Sequence, residues 1–211
     1  MISNLVILSK GDFPSAAATL AALDGADFII CCDGAAERLL AHGRTPDLIT
    51  GDMDSLPAAL RERFRDIVRH NPDQETNDLT KAFRLALTLS PERITILGAT
   101  GAREDHTMGN VSLLIDYVRE ASCPVSILTD YGRFEAILDS AVLPCRQGQE
   151  ISIFAFDNTL KIKSAGLEYP TDNVVFDSLW KATLNVAAAD SFTLTLSHPA
   201  GVLVYFEAME G

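Results

Sequence analysis

The chain has 211 residues, of which 47% are hydrophobic and 22% charged, an ordinary balance for a packed globular protein with room for one large domain or two small ones. Its net charge of −12 argues against a nucleic-acid partner, because binding a phosphate backbone needs a basic surface. No apolar run reaches the ~18 residues of a membrane span, and the first residues lack the basic region of a signal peptide, so a cytoplasmic protein is expected.

Residues 5–8 form an apolar run that reads as the first strand, followed by an alanine-rich helix over 14–23. A second strand is expected over 27–32, carrying Cys31 and Cys32 as buried thiols, and a second helix over 35–42. A short third strand at 47–50, a helix near 56–64 and a fourth strand at 67–69 follow. Beyond them Leu79, Ala82, Phe83, Ala86 and Leu87 recur with the spacing of one buried helical stripe. Thr76 is the expected N-cap of that helix, with Asp78 in its first turn. A fifth strand over 93–97 runs into Gly98-Ala99-Thr100-Gly101. The next helix carries Val111, Leu114, Ile115 and Val118 on one face, and a sixth strand spans 125–129.

Strands alternating with helices imply a mainly parallel sheet flanked by helices. From residue 131 the helical period disappears. Short runs at 134–138, 151–156, 160–162, 192–196 and 202–206 are separated by turn residues, and several alternate apolar with polar side chains. The expected fold is therefore α/β over 1–130, followed by a smaller all-β sandwich domain over 131–211. The four cysteines show neither a C-x-x-C pair nor a Cys/His metal spacing.

Four acidic clusters lie in the first half: Asp33-Gly34, Gly51-Asp52-Met53-Asp54-Ser55, the run Asp73 to Asp78, and Arg103-Glu104-Asp105-His106. Ligands of open α/β sheets bind at strand ends. Carboxylates gathered there without matching lysines suit a hard cation such as Mg²⁺, and through it a phosphate substrate. Asp52 and Asp54 are two apart, so on an extended chain both point the same way; alternatively the segment caps the next helix. Asp33 reads as an N-cap in preference to a ligand of ribose hydroxyls. Asp73 and Glu75 read as charge at a helix start. The glycine-containing loop before Arg103 offers backbone N–H groups to an anion, and Arg103 can add two-point phosphate contacts. Asp105 can bind a metal, orient a hydroxyl or accept its proton. The loop is neither a Walker A motif nor G-x-G-x-x-G.

Taken in order, Asp33-Gly34-Ala35-Ala36, Pro46 through Ser55, Asp73 through Ala82, and Gly98 through His106 with Asn110 resemble thiamine pyrophosphokinase (thiamine diphosphokinase). The resemblance implies a homodimer that transfers a diphosphoryl group from ATP to thiamine with Mg²⁺, releasing AMP. It also implies a thiamine site at the subunit interface. It puts metal ligands at Asp52, Asp54, Asp78 and Asp105, and catalytic roles on Asp78, Asp105, Arg103 and Lys81. Nucleotide contacts fall to Asp33, Gly34, Gly51, Gly101, Arg103, His106 and Asn110. Substrate contacts fall to Gln74, Tyr169, Thr183 and Asn185. Trp180 is either a second stacking surface or a buried sandwich residue. Whether Asp78 or Asp105 takes the hydroxyl proton stays open. The competing readings are a phosphohydrolase with Asp52 as nucleophile, and a regulatory module that binds Mg-ATP without consuming it.

Overall fold

The computed structural model describes residues 1–73 and 75–209. The chain divides into two compact units, one comprising Met1–Val111 with Ala121–Asp130, the other Ser112–Glu120 with the residues from Tyr131 on.

The first unit is built on strands β1 (Leu5–Leu8), β2 (Phe28–Cys32), β3 (Leu48–Gly51), β4 (Val68–His70), β5 (Ile94–Leu97) and β6 (Val125–Thr129). They lie in the order β6-β5-β1-β2-β3-β4, and every pairing is parallel. The order reverses at β1, so the loops leaving β1 and β5 start side by side. All four residues of β1 are buried, which is why it reads as a continuous apolar run instead of an alternating one. The connecting helices are α1 (Ala17–Asp24), α2 (Ala35–Ala41), α3 (Ala58–Arg63), α4 (Asp78–Thr88) and α5 (Glu104–Glu120).

Two helix starts differ from expectation. In α4 the N-cap is Asn77, whose side-chain oxygen accepts the N–H of Thr80 at 2.9 Å. Thr76 instead donates its hydroxyl to Asp73 at 2.7 Å. Helix α1 begins at Ala17, three residues later than the alanine-rich segment suggested, and its N-cap Ala16 has no side chain with which to cap. Asp130, just past β6, does the capping from a distance in sequence. It accepts the N–H of Ser15 at 3.0 Å, that of Ala16 at 3.0 Å and the Ser15 hydroxyl at 2.5 Å, and it also takes the Thr19 hydroxyl. Burial pushes the Asp130 carboxyl up, but these donors outweigh it and bring the pKa down to about 2.

The second unit holds two antiparallel sheets. One has the order β11-β9-β13-β7 and the other β10-β12-β8, from β7 (Gly132–Ile137), β8 (Ala141–Pro144), β9 (Glu150–Ala155), β10 (Ile162–Ala165), β11 (Asn185–Val186), β12 (Ser191–Leu196) and β13 (Val202–Glu207). Both contribute to one apolar core. Ile151, Ile153, Val202, Val204 and Phe206 come from the first sheet, and Leu143, Ile162, Phe192, Leu194 and Leu196 from the second. This is the sandwich the alternating runs implied. Strands β8 and β11 escaped the sequence reading because one ends in proline and the other is two residues long. Among the described residues, no helix is long and apolar enough to cross a membrane.

Replacing Asp130 by alanine strands the α1 donors and should lower stability by about 1–2 kcal/mol, the size of a lost N-cap, read from urea unfolding. Because the folded-state pKa lies below the ordinary 3.8, the carboxylate stabilises fully above that value. The difference between wild type and variant should therefore shrink as pH falls from 4 towards 2.

Candidate functional site

Three carboxylates meet at the C-terminal ends of β2 and β3. Asp33, Asp52 and Asp54 each offer an oxygen, and these atoms all lie within 4.8 Å of one another. Asp33 is only 2% exposed. Its Oδ2 accepts the backbone N–H of Ser55 at 2.9 Å and the Ser55 hydroxyl at 2.5 Å, whereas its Oδ1 is buried and makes no hydrogen bond. The expected N-cap role is not found: Gly34 stands at the N-cap of α2, with no side-chain cap bond.

Asp52 and Asp54 do not lie on an extended chain. Met53 between them has φ +67°, and the Asp54 N–H folds back onto Asp52 Oδ1 at 3.2 Å. It is this turn, not strand alternation, that brings the two side chains to one place. Contact with Asp33, then the charge of Asp52, raises the Asp54 carboxyl above its ordinary value.

The donor set fits a hard divalent cation. All the groups are carboxylate oxygens, and octahedral Mg²⁺ with ligands at ~2.1 Å keeps its oxygens roughly 3–4.2 Å apart, close to the spacing found here. A buried acceptor without a donor is also what a cation would satisfy.

Gly51 makes the arrangement possible. It ends β3 at φ +149°, and a Cβ there would sit 3.0 Å from the Asp33 Cβ and 3.2 Å from the Asp78 carboxylate. Asp78, in the first turn of α4, is thus next to the strand end although it is not one of the three clustered carboxylates. Its Oδ1 accepts from Lys81 Nζ at 3.1 Å. Lys81 is 5% exposed, and a buried ammonium requires such a partner.

The loop after β5 is held against the one after β1. The N–H of Gly11 bonds the carbonyl of Gly98 at 2.7 Å and that of Asp12 the carbonyl of Thr100 at 2.8 Å. Gly101 has φ +78°, and a Cβ on it would overlap the Asp12 carboxylate at 2.0 Å. Arg103 grips Asp105 at two points, Nε to Oδ1 at 3.0 Å and Nη2 to Oδ2 at 2.5 Å. That fork, with the His106 N–H, brings the Asp105 carboxyl down to about 2. Both side chains are exposed, as is His106. Asn110 donates to the Ala99 carbonyl at 2.8 Å and accepts from Asn77 at 3.1 Å, tying α5 to the glycine loop and to the start of α4. Lys10, which the sequence reading passed over, lies at this edge too, its Cε 3.3 Å from where a Gly34 Cβ would be. Its signal was its place two residues past the first strand.

In the second unit, Asn185 is 5% exposed and holds the segment before it in place. It accepts the Tyr169 N–H at 3.1 Å and donates to the Tyr169 carbonyl at 2.7 Å. Tyr169 itself is 62% exposed. Trp180 is 70% exposed, so the buried alternative for it is wrong; it sits on a short 3₁₀ turn instead of inside the sandwich core. The Thr183 hydroxyl donates to the Trp180 carbonyl at 2.7 Å. Gln74 lies outside the described residues.

Two family models match. Residues 19–127 fit the thiamin pyrophosphokinase catalytic domain and residues 132–205 the thiamin pyrophosphokinase substrate-binding domain. Thiamin pyrophosphokinase 1 of Caenorhabditis elegans is 34% identical over 112 residues, covering 49% of this chain and 45% of that protein. Thiamine pyrophosphokinase 1 of rice is 32% identical over 116 residues, covering 43% and 44%. The matches thus span less than half the length of these curated relatives. Among solved structures, thiamine pyrophosphokinase from Bacillus subtilis superposes with a TM-score of 0.77 at 20% identity, over 99% of this chain and all of that one. The Candida albicans protein gives 0.78 at 15%, over 99% and 90%. At such identities the likeness is one of fold.

Gly51→Ala should destabilise the protein by about 1–3 kcal/mol from backbone strain alone, and further by crowding Asp33 and Asp78. Gly43→Ala is the control, since Gly43 also has positive φ but nothing within 4 Å. Urea unfolding should give a clearly larger loss for Gly51→Ala than for the control. Equal losses would mean that the strand end tolerates a Cβ.

Proposed function

The chain belongs to the thiamin pyrophosphokinase family, and from that premise we propose that it transfers a diphosphoryl group from ATP to the hydroxyl of thiamine, with Mg²⁺, giving thiamine diphosphate and AMP. The observation that carries this reading is the carboxylate cluster at the ends of β2 and β3, with its buried, unpartnered oxygen, inside the region matched to the catalytic domain.

Asp52 and Asp54 hold the metal, with Asp78 and Asp105 as the further carboxylates offered to it. Mg²⁺ bound there supplies neutralisation of the diphosphoryl charge, which a protein of net charge −12 could not otherwise approach. The thiamine hydroxyl oxygen attacks the β-phosphorus, the bond from that phosphorus to the oxygen of AMP breaks, and AMP leaves with the electron pair. Such transfer depends mainly on placement and electrostatics. Asp105, gripped by Arg103 with its pKa down to about 2, is a poor acceptor for that proton, since a base works best with a pKa near the operating pH. We assign the hydroxyl proton to Asp78, whose carboxylate stands beside the strand end that carries the cluster.

Lys81, buried behind Asp78, orients that carboxylate, and Arg103, held by Asp105, offers its remaining N–H groups to the phosphates. The backbone of the loop through Gly101, with Gly34, His106 and Asn110 around it, frames the nucleotide. Tyr169 and Trp180 are exposed and suited to stack on a cationic ring, with Asn185 holding Tyr169 in position, Thr183 beside Trp180, and Gln74 assigned to the same substrate. The working form is a homodimer, for which sedimentation should give twice the mass of one chain.

The direct test incubates the protein with Mg-ATP and thiamine and looks for thiamine diphosphate and AMP by mass spectrometry. AMP formation should require thiamine; ATP loss that ignores thiamine would overturn the assignment. Asp54→Asn should lower kcat by about 10²–10³-fold, the scale of losing one electrostatic stabiliser, with unchanged circular dichroism. Normal turnover by that variant would remove Asp54 from the metal site.

A further inference from the structure

Asp33 is buried and elaborately held. Its backbone N–H is bonded to the Thr50 carbonyl at 2.8 Å, and its φ of +42° is a left-handed conformation that a non-glycine residue keeps only where the surroundings impose it. One carboxylate oxygen is braced by two donors from Ser55. The other is buried with nothing to bond. Ordinary structural duties do not account for this. The carboxylate does not cap α2, and among the described residues no lysine, arginine or histidine forms an ion pair with it. It lies instead within 4.8 Å of the Asp52 and Asp54 oxygens, a placement that like charges oppose. By contrast Asp52 is half-buried, Asp54 is exposed, and both sit on a turn.

We propose that Asp33 is a direct ligand of the divalent cation, a carboxylate already set in place before the ion arrives, with Oδ1 as its donor atom. The inference rests on the metal-dependent reading above and adds to it a ligand that neither the capping nor the nucleotide-edge role provides. Asp33 supplies a braced, buried corner of the site, beside Asp52 and Asp54 on their turn. Since that corner exists in the protein alone, the site takes up a divalent cation without nucleotide.

The test is Mn²⁺ binding to the nucleotide-free protein, followed by electron paramagnetic resonance and by the rise in melting temperature on adding the metal. Wild type should bind Mn²⁺ and melt higher. Asp33→Asn keeps an acceptor for Ser55 and replaces the unpartnered oxygen by an amide donor facing the other carboxylates. It should therefore melt no lower than wild type without metal, yet bind Mn²⁺ at least about 100-fold more weakly and lose the metal-induced rise. Ser55→Ala removes only the brace and should weaken binding about 10-fold, within the range seen for groups that orient a ligand. Wild-type affinity in Asp33→Asn, or no Mn²⁺ binding by the wild-type protein without nucleotide, would overturn the proposal. Thiamine-dependent AMP formation in the same preparation keeps that failure distinct from a failure of the proposed activity.

Discussion

Three carboxylates within 4.8 Å of one another are unfavourable without a cation between them, and the neighbouring structure is arranged to hold them there. Gly51 leaves out the side chain that would keep Asp33 and Asp78 away from the strand end. Met53 takes a left-handed turn so that Asp52 and Asp54 face each other across it. Lys81 is buried where it can balance Asp78. Gly51 and Met53 are local departures from regular structure at the C-terminal end of β3, where the chain leaves the hydrogen-bonded ladder and is free to turn.

The architecture was legible because it is written in burial. Fully covered strands such as β1 appear as unbroken apolar runs, and the stripe of α4 shows its period from Leu79 to Leu87. Local chemistry was harder to read. Thr76 and Asn77 are equally good capping residues by type, and only the backbone geometry decides that Asn77 caps while Thr76 bonds Asp73. The two-residue strand β11 has no period to detect. For Trp180 residue type left a stacking surface and a core position both open, and only the exposed turn that carries it decides between them.

The same division holds at the candidate site. Asp52 and Asp54 drew notice through their spacing, although the strand geometry invoked for them is not the one present. Asp33 was read as a helix cap because its neighbours in sequence suggest a helix start; its actual partner, Ser55, is 22 residues away. Asp105 and Arg103 were both noticed, but their mutual grip, which changes what Asp105 can do as a base, depends on side-chain orientation. Lys10 was missed for want of any pattern beyond its place after a strand. Residue type and spacing thus point to where chemistry gathers, whereas contacts between distant segments distribute the roles.

The dependence of α1 on Asp130 also bears on the order in which the chain can assemble. A helix of eight residues is too short to persist alone in water, and the carboxylate that satisfies its first N–H groups lies 115 residues downstream of Ser15. Helix α1 therefore lacks the acceptor for its first N–H groups until the residue after β6 is in place. The contact between them is long-range, of the kind that slows folding. Any fragment ending before residue 130 carries the whole carboxylate cluster in its sequence but not the residue that secures α1.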